Sequence, residues 1–140
     1  TLKLRMDKHC ENASQVARYL ANHPKVNFVR YPQMSEGNEK EWADKYLGGH
    51  YGPMVGVDVK GGVKGGQNFV KELEMFYHVA NIGDTRSMAI HPASTTHSQV
   101  PADMRTKAGI TDGYVRLCIG IEHADDIIAD MAQSLDKLNV

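Results

Sequence analysis

The sequence is poor in the residues that mark metal sites and disulfide-rich domains. Only two of its 140 residues are cysteine, and Cys10 and Cys118 lie far apart with no CxxC pair. This pattern disfavours a structural zinc site and a disulfide framework, so we expect a reduced, cytoplasmic compartment. Of the seven histidines only His91 and His97 are close in sequence, and their spacing fits no ligand pattern. We therefore expect no bound metal.

Long apolar runs and a strong net charge are also absent. No apolar stretch approaches the ~20 residues that a membrane-spanning helix needs. The formal net charge is −1, so no electrostatic field favours nucleic acid or anionic lipid as a partner. Hydrophobic residues make up 41% of the chain and charged residues 24%, which is an ordinary globular composition. We expect a single domain, residues 1–140, without a nucleic-acid or membrane partner.

The sequence does contain an alternation of helix and strand patterns. An apolar stripe at helical spacing predicts a lead-in helix within residues 1–23, and Pro24 ends it. The order that follows is roughly αβαβαββαβα, which predicts an α/β two-layer sandwich with a small sheet covered by helices. A turn-rich link is predicted over residues 61–66 and a helix over residues 67–79. The inward side chains of that helix would be Phe69, Leu73, Phe76 and Tyr77; those of an earlier helix would be Trp42, Ala43, Tyr46 and Leu47.

The strand predicted over residues 114–122, YVRLCIGIE, carries an unexpected cation. Its alternate positions are apolar, which is typical of a half-buried strand. Its other face presents Arg116, followed by small residues at Cys118 and Gly120 that would leave open space. Arg116 is either a surface residue in an ion pair worth at most about 1 kcal/mol, or a cleft residue. In a cleft its planar guanidinium would grip a carboxylate through two parallel hydrogen bonds.

Two further polar segments could line such a cleft. HPASTTHSQ, residues 91–99, follows a predicted strand and is rich in small polar side chains. ANIGD, residues 80–84, contains residues that tolerate unusual backbone angles. Each also fits a plain solvated turn, and the residues alone leave both interpretations open. No Ser/His/Asp or Cys/His constellation and no acid–base pair of carboxylates can be assembled from the sequence.

Taken together, these segments resemble the C-terminal domain of the Cys/Met-metabolism family of pyridoxal-phosphate enzymes. The resemblance covers essentially all 140 residues, beginning with RMDKHCENASQVARYLANHPKVNFVRYP. Its most specific feature is the combination of HPASTTHSQ and VRLCIGIE at the separation that they have in this chain. Within the family, ANIGD and HPASTTH are most similar to the O-acetylhomoserine sulfhydrylase branch. The resemblance implies the fold of the C-terminal domain of fold-type I pyridoxal-phosphate enzymes, with a small mixed or antiparallel sheet.

The resemblance also implies roles for three residues. Arg116 matches the family arginine that binds the α-carboxylate of the substrate. Asn81 falls where the family places a neighbouring carboxylate contact, and Thr96 matches a threonine of the same pocket that supports the arginine. Two positions depart from the family pattern without belonging to the pocket: Cys118 replaces a more usual serine, and Asp58 interrupts a strand expected to be more apolar.

The rest of the family's machinery is implied to lie outside this chain. The cofactor lysine, the phosphate-binding loop, the ring-stacking tyrosine and the pyridine-nitrogen aspartate belong to a larger N-terminal domain, which no segment here matches. We therefore expect a fragment that is inactive alone and binds no pyridoxal phosphate, taken from a homotetrameric parent. That parent would be a pyridoxal-phosphate-dependent transferase of methionine biosynthesis, converting O-acetylhomoserine and sulfide to homocysteine and acetate.

Two other identities stay open at this point. One is the same domain of a cystathionine γ-synthase or a methionine γ-lyase, which belong to other branches of the same family. The other is a free-standing domain that binds amino acids for regulation and catalyses nothing. In every case the small-molecule ligand is expected to be an amino acid.

Overall fold

A five-stranded mixed sheet forms the centre of the computed structural model, which describes all residues, 1–140. The strands are β1 (Val26–Arg30), β2 (Met54–Val59), β3 (Tyr77–His78), β4 (Met88–Ile90) and β5 (Tyr114–Cys118). The α-helices are α1 (Leu2–Ala21), α2 (Gly37–Leu47), α3 (Gly62–Glu72), α4 (Ala102–Lys107) and α5 (Ala124–Asp136). Short 3₁₀ helices occupy Pro32–Met34 and Pro92–Ser94. None of the helices is both long enough and apolar enough to cross a membrane.

The strand pairing confirms the predicted α/β class with a small mixed sheet. The spatial order is β1-β2-β5-β4-β3, and every neighbouring pair is antiparallel except β3 and β4, which are parallel. The order of elements along the chain is also the predicted one. β5, which carries Arg116, therefore lies in the middle of the sheet, between β2 and β4.

One face of the sheet carries the hydrophobic core. Helices α1 and α3 pack against this face, and α5 packs on α1 and α3. Each large side chain that leaves water here stabilises the fold by about 1.5–3 kcal/mol. The core side chains of the two central strands are fully buried, and they are Val55, Val57, Val59, Val115 and Leu117. Because side chains alternate along a strand, Arg116 projects from the opposite face, as the period of two predicts.

The predicted link over residues 61–66 is wrong, because α3 begins at Gly62. Its glycines serve close packing. A Cβ at Gly65 would lie less than 3.0 Å from the backbone of Lys60, and one at Gly66 would lie as close to the ring of His91. The absence of side chains therefore lets the first turns of α3 approach the end of β2 and the segment after β4.

The predicted end of this helix, near residue 79, is also wrong, because α3 ends at Glu72. Leu73 and Phe76 are buried as predicted, but they lie beyond the helix, and Tyr77 is 51% exposed in β3. The reason is a contact with α5: the carboxylate of Asp130 accepts the backbone N–H groups of Glu74 and Met75, just beyond the end of α3. A continuing helix would have used these donors itself.

The predicted inward face of α2 is mostly exposed. Only Ala43 of that helix is buried, whereas the exposed fraction is 59% for Trp42 and 72% for Tyr46. Helix α2 packs on the short helix Pro32–Met34 rather than on the sheet. Helical spacing shows which side chains share a face, but the position of the helix in the fold decides whether that face is buried.

Candidate functional site

The sheet face opposite the core presents Arg116 at its centre. The antiparallel pairing places Gly56 of β2 on one side of Arg116 and Ile90 of β4 on the other. The helices that pack against the sheet, α1 and α3, lie on the core face, and Arg116 is half-buried. A rigid central strand thus holds a guanidinium group on the open face of the sheet.

The guanidinium of Arg116 makes one hydrogen bond and no ion pair. Its Nη2 donates to the backbone carbonyl oxygen of Asn81 at 3.3 Å. None of the ion pairs in the structure includes Arg116, so the alternative of a surface ion pair is not realised. An arginine has five N–H donors in a planar fork. Most of the donors of Arg116 therefore have no protein partner, and two of them suffice to bind one carboxylate.

Asn81 contacts Arg116 through its main-chain carbonyl and not through its side chain. The residue is exposed in the segment between β3 and β4, and its side-chain Oδ1 accepts the N–H of Ile82 at 2.9 Å. Further along, Arg86 donates to Asp84 from both its backbone and its guanidinium, which lowers the pKa of the Asp84 carboxyl to about 2. The structure therefore brings Arg116 of β5 against the segment of Asn81, which is ordered by local polar contacts.

Thr96 makes no hydrogen bond to Arg116. It is exposed, and its Oγ1 shares a hydrogen bond with Nδ1 of His97 at 2.8 Å. The preceding residue, Thr95, donates to the carbonyl oxygen of His91 at 2.8 Å and helps to form the turn. The support that Thr96 is expected to give to the arginine is not formed here, and its role stays a prediction.

The open space predicted beside Arg116 from Cys118 and Gly120 is not there. Cys118 is buried, with 3% of its surface exposed. Gly120 lies beyond the end of β5, and a Cβ on it would come within 3.0 Å of the Glu122 carboxylate and of the backbone at residues 85 and 87. The small size of Gly120 therefore allows close approach of two backbone segments rather than entry of a ligand.

Tyr114 and Arg30 also belong to the open face, and sequence reasoning missed them. The Tyr114 ring lies over Gly56, where a Cβ would collide with the phenol. The guanidinium carbon of Arg30 is 5.8 Å from the centroid of that ring, within cation–π range. Burial raises the pKa of the Tyr114 hydroxyl, and Arg30 and Arg116 partly oppose that rise. Gly56 opposite Arg116 was the available signal, because a strand glycine often marks a close approach.

His91 is a third residue whose importance the sequence did not indicate. Its Nε2 lies 2.7 Å from the carbonyl oxygen of Asp112, and its Nδ1 lies 2.7 Å from Oγ of Ser94. A carbonyl oxygen only accepts, so Nε2 carries the proton and the neutral ring accepts at Nδ1. Burial lowers the pKa of His91, in keeping with this neutral form. The ring thus joins the segment before β5 to the segment that carries Thr96.

A cavity of about 530 Å³ lies near this site without including it. It opens between α3 and the strands β3 and β4. Neither Arg116, Asn81 nor Thr96 contributes to its wall. Its lining side chains include Lys71, His78, Ile90, His91 and Thr95. The predicted carboxylate site therefore lies outside this cavity.

Comparison with known proteins relates the whole chain to one enzyme family. The family model described as Cys/Met metabolism PLP-dependent enzyme matches residues 1–136. An O-acetyl-L-homoserine sulfhydrylase of Leptospira meyeri is 45% identical over 99% of this chain and 31% of its own length. A homocysteine synthase of Schizosaccharomyces pombe is 43% identical over 97% of the chain and 32% of its own length. An L-methionine gamma-lyase of Fusobacterium nucleatum is 40% identical over 99% of the chain and 35% of its own length.

A solved structure gives the same relationship at the level of the fold. It is described as a putative O-acetylhomoserine (thiol)-lyase of Campylobacter jejuni with N′-pyridoxyl-lysine-5′-monophosphate, and it superimposes with a TM-score of 0.91 at 36% identity. The match covers 98% of this chain and 32% of that one. The chain spans about a third of the length of the curated relatives that it matches. It belongs to the family of pyridoxal-phosphate-dependent enzymes of Cys/Met metabolism.

Proposed function

We propose that this chain is the C-terminal, substrate-carboxylate-binding domain of an O-acetylhomoserine sulfhydrylase. The observation that carries the proposal is the half-buried guanidinium of Arg116, which has no carboxylate partner on the open face of the sheet. The sulfhydrylase of Leptospira meyeri, at 45% identity, supports the choice of branch. The reaction would be replacement of the acetate of O-acetylhomoserine by sulfide, in a homotetrameric parent.

The role of this domain would be to bind and orient one end of the amino acid. The carbonyl of Asn81 holds one nitrogen of the Arg116 fork, which leaves the other N–H groups for the two carboxylate oxygens. Thr96 would complete the support of the arginine in the full-length enzyme. Pyridoxal phosphate supplies the electron sink of such reactions, while protein groups fix the orientation of the substrate.

The cofactor lysine would lie outside this chain. Lysines become nucleophilic at neutral pH when burial removes their proton, and every lysine here is exposed or half-buried. The least exposed ones already have partners: Lys25 donates to three carbonyl oxygens at the end of α5, and Lys40 pairs with Asp44. These observations support the proposal that the cofactor lysine lies in another part of the parent enzyme.

The proposal predicts that Arg116→Lys in the full-length enzyme is nearly as damaging as Arg116→Ala. A bidentate charge-assisted pair contributes about 1.5–3 kcal/mol, so kcat/KM for O-acetylhomoserine should fall about 10- to 100-fold. Lysine keeps the charge but cannot copy the planar fork. Steady-state kinetics with the amino acid varied at saturating sulfide measures the loss.

Arg18→Lys serves as the matched control, because Arg18 is an exposed residue of α1, on the other side of the sheet. The Arg18→Lys enzyme should keep the wild-type kcat and KM. Wild-type kcat/KM in Arg116→Lys would refute the bidentate role. Wild-type kcat/KM in Arg116→Ala would refute carboxylate binding by this residue altogether.

A second candidate function is that of a methionine γ-lyase, because relatives with that name are 40% identical over nearly the whole chain. Incubating the full-length enzyme with O-acetylhomoserine and sulfide, and separately with methionine, separates the two. Homocysteine formation as the faster reaction supports the sulfhydrylase. Faster breakdown of methionine supports the lyase, and incubation with cysteine in place of sulfide tests the cystathionine γ-synthase branch.

A further inference from the structure

A buried polar corner joins the segment that carries Asn81 to the end of β5. The carboxylate of Glu122 accepts the backbone N–H of Ser87 at 2.6 Å and its hydroxyl at 3.0 Å. The same hydroxyl oxygen accepts the backbone N–H of Gly120 at 2.9 Å. Ser87 is fully buried. One serine and one glutamate thus connect two backbone segments about 35 residues apart in sequence.

Two other contacts fix the same corner. The backbone N–H of Ile121 donates to the carbonyl oxygen of Thr85 at 2.8 Å. The side-chain amide of Asn12, in α1, donates to the carbonyl oxygens of Gly120 at 3.0 Å and Glu122 at 2.8 Å. Asn12 is completely buried, so the corner is anchored to the long helix as well as to the sheet.

The corner joins the two chain segments that carry the partners of the candidate site, a few residues beyond each partner. Asn81 precedes Ser87 by six residues, and Arg116 precedes Gly120 by four. The only hydrogen bond of the Arg116 side chain is to the carbonyl oxygen of Asn81. The orientation of the guanidinium group therefore depends on the position of the segment that carries Asn81. A movement of the 81–87 segment away from β5 would release Nη2 and free the guanidinium to rotate.

We propose that Glu122, acting through Ser87, is a positioning residue for substrate binding. It holds the segment of Asn81 against the end of β5, so that the fork of Arg116 is already aimed at the α-carboxylate before the substrate arrives. Glu122 itself contacts no substrate. This inference rests on the proposed function of Arg116 and adds a determinant of affinity outside the binding face.

The test is Glu122→Ala in the full-length holoenzyme, with KM measured separately for O-acetylhomoserine and for sulfide. The carboxylate contact is made in the ground state as well as in the transition state, so its loss raises KM for the amino acid. We expect a rise of about 10-fold, the equivalent of one hydrogen bond to a charged group, with kcat and the KM for sulfide nearly unchanged. A purely structural defect would lower the amount of folded enzyme and would not raise KM for one substrate alone.

Two milder variants keep the test valid if Glu122→Ala folds poorly. Glu122→Gln retains an acceptor for the Ser87 N–H and should recover most of the affinity. Ser87→Ala removes the hydroxyl but keeps the backbone bond, and should raise KM for the amino acid by an intermediate amount. Glu11→Ala, at an exposed glutamate paired with Lys8, is the matched control and should behave as wild type.

The outcomes separate this inference from the function on which it rests. Wild-type KM for the amino acid in Glu122→Ala or Ser87→Ala, while Arg116→Ala raises it, overturns the positioning role and leaves the carboxylate site intact. A parallel rise of both KM values in Glu122→Ala also overturns it. Wild-type KM in Arg116→Ala as well would overturn the proposed function itself. Hydrogen exchange of the 81–87 segment in the holoenzyme should be faster in Glu122→Ala, and unchanged exchange counts against the proposal.

Discussion

At the scale of single residues, the buried ring of His91 makes its hydrogen bond to Ser94 as an acceptor only while the ring is neutral. The Nδ1 atom accepts from Ser94, and a protonated ring would lose that acceptor. Burial lowers the pKa of His91 below its ordinary value of 6.5. The unfolded chain therefore binds a proton at a higher pH than the folded chain does. The contribution of His91 to stability is complete at neutral pH and is lost as the pH falls below about 6.5.

The expected result is that His91→Gln lowers the midpoint of thermal unfolding at neutral pH but makes it less sensitive to acid than in the wild type. Thermal unfolding of both proteins, followed by circular dichroism across the acid range, measures the difference in slope. His78→Gln, at an exposed histidine of β3, should keep the wild-type slope. Equal slopes for wild type and His91→Gln would mean that His91 does not carry the effect.

At the residue scale, the sequence pattern predicts some side-chain positions and not others. The alternation of β5 placed Arg116 opposite the core correctly, because a period of two is a local property of a strand. The roles of Gly120 and Ser87 were not predictable in the same way. Both depend on the approach of residues 85–87 to residues 120–122, which no local pattern encodes. The same holds for the ring of Tyr114 over Gly56.

At the scale of elements, the end of α3 depends on side chains of α5. Asp130 is buried, with 9% of its surface exposed, and its two carboxylate oxygens accept the N–H groups of Glu74 and Met75 at 2.9 Å each. Ser134 and Gln133 of the same helix donate to carbonyl oxygens of α3, at Phe69 and Glu72. Two of the carbonyl oxygens in the last turn of α3 are thus satisfied by a neighbouring helix.

Asp130→Ala should lower the free energy of unfolding by about 2–3 kcal/mol, because it leaves two backbone donors beside α5 without their charged partner. Chemical denaturation at fixed protein concentration gives the value. Asp130→Asn keeps one acceptor and should lose about half as much. Asp126→Ala, in the first turn of α5 and exposed, should lose at most about 1 kcal/mol through the helix dipole. Equal losses for Asp126→Ala and Asp130→Ala would contradict the assigned contact.

The same contact explains which part of the element was predictable. The apolar residues Phe69, Leu73 and Phe76 are all buried, as their spacing indicates. The spacing could not place the end of the helix, because no glycine or proline marks it and the competing acceptor, Asp130, lies more than 50 residues away. The sequence therefore identified the buried side chains better than the backbone that carries them.

At the scale of the whole molecule, the chain consists of a sheet with helices packed on one face and the candidate binding residues on the other. The open face carries Arg30, Tyr114 and Arg116, and no helix packs across the sheet there. The family to which the chain belongs depends on pyridoxal phosphate, yet no lysine of this chain is buried. The two observations together support a division in which this domain binds the substrate carboxylate and a different part of the parent holds the cofactor.

That division predicts that the 140-residue chain alone retains no yellow, lysine-bound cofactor and converts no O-acetylhomoserine. The measurement is the absorbance that stays with the chain after incubation with pyridoxal phosphate and gel filtration, with the full-length enzyme as the positive control. An exposed lysine holds the aldehyde weakly, because no protein group excludes water or supports the phosphate around it. Stoichiometric absorbance that survives gel filtration, and that one Lys→Ala substitution abolishes, would place a cofactor site inside this chain and end the proposed division.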